Sequence, residues 1–207
     1  MVNPYLPKPA KILDVRGETS DVKTYKLKLL NGSLKFNPGQ FVGVSVFGVG
    51  EAPFAISSSP FNQEFFEISV RAVGNVTKAL HKLESGSVVG VRGPLGVGFP
   101  LSELKNKNLV FIAGGTGILG LAAMLWYAYE KTAEFKSVRL FYGARTPRDI
   151  VRKRELEVWS QKISVSLTVD VGDPSWKGKV GLVTSLLDSE RLPRESVAFL
   201  VCGPPIM

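Results

Sequence analysis

The densest group of chemistry-bearing residues is Ala113-Gly114-Gly115-Thr116-Gly117-Ile118-Leu119-Gly120. It follows the continuous apolar run Leu109–Ala113 and precedes a stretch with helical spacing. Glycines in such a place let the backbone turn tightly and let a pyrophosphate approach the amides, while the helix N-terminus supplies positive potential. Gly115, Gly117 and Gly120 also satisfy G-x-G-x-x-G, a pattern that is weak alone and gains weight from a strand–turn–helix setting. The chemistry would be dinucleotide binding; the plainer alternative is a tight turn in any α/β protein.

A dinucleotide fold usually places an acidic residue at the end of its second strand, to hold the ribose 2′-hydroxyl. Here that strand ends Phe141-Tyr142-Gly143-Ala144-Arg145-Thr146, with no carboxylate. Arg145, Arg148, Arg152, Lys153 and Arg154 crowd the following segment instead. Guanidinium groups match a 2′-phosphate, so Arg145 and Arg148 lean the reading toward NADP over NAD. A solvated basic helix face is an equally good account of Arg152, Lys153 and Arg154.

A second candidate phosphate cradle is Arg71-Ala72-Val73-Gly74-Asn75-Val76-Thr77. Gly74 permits the turn, the amides of Asn75 to Thr77 point outward from a helix start, and the Thr77 hydroxyl can donate. A helix start without any ligand fits the same residues. His81 lies in that helix and has no second metal ligand beside it, so a packing or surface role is expected. Trp126, Trp159 and Trp176 read as core or edge residues.

Composition narrows the classes. Cys202 is the only cysteine and His81 the only histidine. A disulfide framework, a four-cysteine cluster and a multi-histidine metal site are thereby excluded within this chain. The first ten residues contain no apolar signal segment, and one reduced cysteine fits the cytoplasm. Lys and Arg number 26 against 18 Asp and Glu, a formal charge of +8. That charge is spread evenly over both halves, a weak signal for nucleic acid. Leu109–Tyr129 is uncharged throughout and long enough to span a bilayer, but the glycines divide it into strand, turn and helix.

The elements that must position these residues change character near residue 100. Short β-type runs come first: Lys11–Val15, Val22–Leu29, Phe41–Phe47, Phe54–Ser57, Phe65–Val70 and Ser87–Arg92, with a short helix over Val76–Leu83. Such spacing suggests an antiparallel barrel or sandwich. Strands at Leu109–Ala113, Val138–Tyr142, Ile163–Val169 and Val197–Val201 then alternate with helices over Ile118–Ala133, Pro147–Gln161 and Leu182–Leu187. That grammar predicts a parallel sheet covered by helices, with the boundary near residues 98–104.

Taken in order, Asn3-Pro4-Tyr5, Pro38-Gly39-Gln40-Phe41, Glu51-Ala52-Pro53-Phe54, Gly74-Asn75-Val76-Thr77, Gly93-Pro94-Leu95-Gly96, Gly114-Gly115-Thr116-Gly117 and Cys202-Gly203-Pro204-Pro205 resemble the ferredoxin–NADP reductase superfamily. The likeness is greatest to flavin subunits of multi-subunit enzymes: the gamma (diaphorase) subunit of cytoplasmic NiFe sulfhydrogenase, the corresponding flavin subunit of anaerobic sulfite reductase, and the dihydroorotate dehydrogenase electron-transfer subunit. It implies a two-domain β plus α/β protein. Residues 1–100 would form an FAD-binding antiparallel Greek-key β-barrel, and 101–207 a Rossmann-like NAD(P)-binding sheet.

The resemblance also implies roles. Pro53, Phe54, Ala55 and Ile56 match the segment along the isoalloxazine. Gly74, Asn75, Val76 and Thr77 match the FAD pyrophosphate loop. Gly114, Gly115, Thr116 and Gly117 match the NAD(P) pyrophosphate loop, and Cys202 and Gly203 the segment beside the nicotinamide. The implied activity is electron transfer between NAD(P)H, FAD and an iron–sulfur partner or complex, with no cluster, nucleic acid or membrane span of the chain's own.

Departures matter. Many relatives carry Arg-Pro-Phe-Ser or Arg-x-Tyr-Ser where this chain has Ala52-Pro53-Phe54-Ala55, so Arg71 becomes the candidate replacement cation. A docking or regulatory subunit that has lost flavin is the alternative this opens. The sequence ends on a strand, where relatives continue with a helix and often a cysteine cluster; a truncated or partner-completed domain is expected.

Overall fold

The computed structural model describes residues 6–188 and 190–205. Asn3-Pro4-Tyr5, Ile206 and Met207 lie outside the described residues. The chain divides into two compact units, Met1–Phe99 and Pro100–Met207.

The first unit contains β1 (Lys8–Gly17), β2 (Val22–Leu29), β3 (Phe41–Val46), β4 (Gly50–Ala55), β5 (Phe66–Arg71), helix α1 (Asn75–Leu80) and β6 (Val88–Leu95). The strand order is β4-β3-β6-β1-β2-β5, every pairing antiparallel. A bridge between Ile56 and Ile68 joins the two ends, so the sheet closes on itself. Strands β3, β4 and β5 follow one another and β6 returns beside β3, which makes a Greek key. Ile12, Tyr25, Leu27, Val42, Val44, Phe66, Ile68 and Val89 fill the interior.

Tyr25 anchors α1 by donating its hydroxyl to the Leu80 carbonyl at 3.0 Å, and burial pushes its phenol up to about 12. The Nε2 of His81 lies 2.8 Å from the Val70 carbonyl, which makes it a packing histidine. The strand expected over Phe54–Ser57 instead begins at Gly50. A tight turn carries the chain back at once: the Val49 amide donates to the Val46 carbonyl at 3.0 Å and Gly48 takes φ +79. Pro53 misleads here, because proline is unfavourable inside a sheet and tolerated at its border.

The second unit contains α2 (Leu101–Leu104), β7 (Asn108–Gly114), α3 (Ile118–Glu130), β8 (Ser137–Ala144), α4 (Lys153–Trp159), β9 (Ser164–Val169), β10 (Lys179–Val180), α5 (Val183–Asp188) and β11 (Val197–Cys202). All pairings are parallel, in the order β10-β9-β8-β7-β11. Interior strand β7 is buried from Leu109 through Gly114, as its unbroken apolar run requires of a strand covered on both faces. One face packs Val110, Ile112 and Phe141 against Val183 and Leu186 of α5. On the other, α3 and α4 meet through Trp126 and Trp159, edge to face at 5.6 Å. Among the described residues no helix is long and apolar enough to cross a membrane; the uncharged stretch is β7, a glycine turn and α3.

The single helix expected over Pro147–Gln161 is broken. A 3-10 turn spans Pro147–Asp149, and α4 begins only at Lys153. Between them Arg152 takes a left-handed conformation, φ +60, and is fully buried with its Nη1 2.7 Å from Glu155 Oε1. Arg152 is therefore not part of a solvated basic face, whereas Lys153 and Arg154 are exposed.

Candidate functional site

In a parallel sheet of this kind, ligands bind beyond the carboxyl ends of the strands, where the strand order reverses. Strand β7 is that place here, with β8 on one side and β11 on the other. A pocket of about 450 Å³ opens at these strand ends, lined by Gly114, Gly115, Ala144, Arg145, Asp170 and Pro204 among others.

The glycines of the turn divide their work. Gly115 has φ +53, and a side chain there would meet nothing within 4 Å, so its backbone faces open space. Thr116 sits beside it in the half-buried turn. Gly117 is packed: a Cβ would collide with the Cys202 carbonyl and lie 2.8 Å from the Gly203 nitrogen. A Cβ on Gly120 would come to 3.4 Å from the Cys202 Sγ. The fold thus seats the Cys202-Gly203 backbone directly on the glycine turn, although some 85 residues separate them in sequence.

The charges differ from the sequence expectation. Arg145 grips Asp149 with both Nε and Nη2, each at 3.2 Å, and Thr146 donates its hydroxyl to the same carboxylate at 2.7 Å. Burial alone would raise the Asp149 carboxyl, but the hydrogen bonds from Arg145 and Thr146 and the charge of Arg145 outweigh it and hold the group below its usual value. Asp170 follows β9, donates its amide to the Ala144 carbonyl at 2.9 Å, and lines the pocket with Arg145. Arg148 is exposed, is not among the pocket's lining residues, and faces Asp173, whose carboxyl is lowered first by Ser175 and in smaller part by the Arg148 charge.

Sequence reasoning looked for a carboxylate at the end of the second strand and so missed both. The four-residue spacing of Arg145 and Asp149 was a legible signal. Asp170 carried one too, standing at the end of the neighbouring strand, but only the parallel pairing of β8 and β9 brings it to the pocket.

In the first unit, β4 carries Pro53, Phe54 and Ala55 out toward Ile56. Pro53 is exposed, Phe54 and Ala55 are half-buried, and Ile56 is buried. Helix α1 packs against β3 and β4, with Val76 close to Gly50, so the Gly74–Thr77 loop and β4 share one side of the barrel. Gly74 faces open space. The Thr77 hydroxyl is turned inward, accepting from the Val73 and Gly74 amides at 3.0 and 2.8 Å and donating to the Gly74 carbonyl at 3.0 Å. Its one proton is used there, which leaves the first-turn amides of Asn75, Val76 and Thr77, without intrahelical partners by helix geometry, as the donors of this loop. Arg71 points to Asp21 with Nε 2.6 Å from Oδ2, and this contact holds the Asp21 carboxyl below its usual value. Among the described residues no group of acidic, histidine or cysteine side chains is arranged to hold a metal ion.

Residues 9–98 match the oxidoreductase FAD-binding domain family, and 111–207 the oxidoreductase NAD-binding domain family. Sulfhydrogenase 2 subunit gamma of Pyrococcus furiosus is 37% identical, over 100% of this chain and 77% of that protein. The chain belongs to the ferredoxin–NADP reductase superfamily. A second member, the probable dihydroorotate dehydrogenase B (NAD(+)) electron transfer subunit of the same organism, is 35% identical over 92% of this chain and 69% of its own length. Among solved members, the ferredoxin reductase in carbazole 1,9a-dioxygenase superposes with a TM-score of 0.81 at 26% identity, covering 96% of this chain and 61% of that one. The superfamily's two-domain fold, an FAD-binding barrel and an NAD-binding parallel sheet, is thus this chain's fold and the pair of cofactors it is built for.

Proposed function

We propose that this chain is an FAD-dependent NAD(P)H oxidoreductase working as the electron-transfer subunit of a cytoplasmic redox complex, with an iron–sulfur protein as its partner. The observation that carries this reading is the seating of Cys202-Gly203 on the glycine turn at the strand-order reversal. It supports a dinucleotide held with its pyrophosphate on Gly114, Gly115, Thr116 and Gly117 and its nicotinamide beside Cys202 and Gly203. Pro53, Phe54, Ala55 and Ile56 would lie along the flavin ring. The amides of Asn75, Val76 and Thr77 would hold its pyrophosphate, with Gly74 leaving the room and Arg71, already paired with Asp21, at the start of the same loop. Bound FAD supplies the exchange between two-electron hydride transfer and one-electron release. The protein's part is positioning and electrostatics, and the hydride step needs no general acid or base.

Purified protein supplied with FAD and titrated anaerobically with NADH should lose the visible absorbance of its oxidised flavin. A preparation that neither binds FAD nor shows this bleaching would overturn the proposal.

The same pocket supports NADH over NADPH, against the lean read from Arg145 and Arg148. Arg145 is already neutralised by Asp149, and Asp170 adds a negative charge to the wall. A 2′-phosphate would meet that charge, whereas a ribose diol can donate to it. Two like charges a few ångströms apart near a protein surface repel by roughly 1–4 kcal/mol. Asp170→Ala is therefore expected to shift the NADH/NADPH ratio of kcat/KM toward NADPH by about 10- to 100-fold. An unchanged ratio would remove Asp170 from coenzyme choice.

A further inference from the structure

Helix α1 has only six residues, too few to keep its shape without tertiary contacts. Three side-chain hydrogen bonds converge on its carboxyl end. The Tyr25 hydroxyl donates to the Leu80 carbonyl at 3.0 Å, and the half-buried Lys23 ammonium donates to the His81 carbonyl at 2.9 Å. The Val70 carbonyl can only accept, so the His81 Nε2, 2.8 Å away, carries the proton and donates to it.

Strand register explains why these groups meet. Lys23 and Val70 stand opposite each other on β2 and β5. Tyr25 follows Lys23 by two residues and so shares its face of β2. His81 is thus held by its carbonyl from one strand and by its ring from the next. The bond to Val70 also closes the segment between them into a loop on the end of β5.

The entry of that loop is tied to the same strand. The Ala72 amide donates to the Asp21 carbonyl at 2.9 Å, just before Lys23 in β2. Main-chain bonds run on from the exit: the His81 amide donates to the Thr77 carbonyl at 3.0 Å, and the Lys78 amide to the Gly74 carbonyl at 2.9 Å. A displacement of His81 is therefore passed to Thr77 and Gly74.

We propose that Lys23, Tyr25 and His81 are positioning residues for FAD: by gripping the carboxyl end of α1 they hold Gly74, Asn75, Val76 and Thr77 in the arrangement that receives the pyrophosphate. This inference rests on the reading of that loop given above. With the grip loosened, the loop samples other arrangements, and the dissociation constant of FAD rises as the competent fraction falls.

The test titrates FAD into the full-length apoprotein and follows the quenching of flavin fluorescence, with the phosphorus-31 spectrum of the loaded protein as a second readout. Tyr25→Phe, His81→Phe and Lys23→Met should each raise the dissociation constant about tenfold, as expected if the competent arrangement is held only about a tenth of the time. Lys23→Arg and His81→Gln, which keep a donor, should return to within about twofold of the parent. Lys26→Met removes the same charge from β2, where Lys26 lies over the Phe65 ring instead of touching α1, and should bind FAD as the parent does. At saturating FAD the two pyrophosphate signals should move toward those of free FAD in His81→Phe and stay in place in Lys26→Met. Tyr25→Phe deletes a single oxygen and carries the test where a larger change unfolds the barrel. Unchanged affinity in the three variants, or weaker binding with an unaltered phosphorus spectrum, would overturn the proposal while leaving the cofactor reading intact. A parent protein that binds no FAD would overturn both.

Discussion

Gly117→Ala is expected to destabilise the second unit by roughly 3 kcal/mol and to abolish its stabilisation by NADH. The added Cβ would run into the Cys202 carbonyl and the Gly203 nitrogen, which are backbone atoms and cannot swing aside as a side chain can. Overpacking of an already filled contact costs about 1–3 kcal/mol, and more where the neighbour is rigid. Relief would require pushing the end of β11 away from α3, which would also open the seat of the proposed nicotinamide. Gly115→Ala separates the two effects. Its Cβ meets nothing, so only the left-handed conformation at φ +53 is penalised, by roughly 1 kcal/mol. Differential scanning calorimetry with and without NADH reads both. A Gly117→Ala protein that melts with the parent and is still stabilised by NADH would show that the strand end is not held on the turn.

Arg152→Met is expected to cost about 3–5 kcal/mol in urea unfolding. The substitution roughly keeps the volume but leaves the Glu155 carboxylate buried without its guanidinium, and a bare buried charge carries that penalty. Arg152 is fully buried and Glu155 nearly so, with Nη1 and Oε1 at 2.7 Å. The double variant Arg152→Met, Glu155→Leu should recover most of the loss, because an apolar pair of similar volume replaces a buried ion pair at little cost. Lys153→Met and Arg154→Met, one and two residues along and exposed, should each stay within about 0.5 kcal/mol of the parent. A single variant at Arg152 as stable as these two would mean that the pair is solvated after all.

Both results depend on contacts whose legibility in the sequence differs. The break before α4 has no proline or glycine at Arg152 to mark it. Ile150, Val151, Leu156 and Trp159 are all buried, and a register that buries them also carries Arg152 inward. Packing of the apolar residues overrides the expectation that an arginine faces water. Asp170 shows the same limit: it reaches the pocket that Arg145 lines only because a neighbouring parallel strand returns the chain to that spot. Thr77 shows a subtler one: the residue stands at the loop its sequence pattern marks, but its hydroxyl proton serves the loop itself.

Periodicity and turn chemistry in the sequence were enough for a change of architecture near residue 100, for most strands, and for the glycine turn between β7 and α3. These follow from local rules: alternation marks half-buried strands, continuous apolar runs mark buried ones, and glycine marks a backbone no side chain permits. What only the tertiary structure decided is how distant segments meet. It closed the barrel through Ile56 and Ile68, set Cys202 on Gly117, and brought Asp170 to the pocket that Arg145 lines. Such meetings depend on close packing and strand register, which are properties of the whole sheet and are not encoded at any one position.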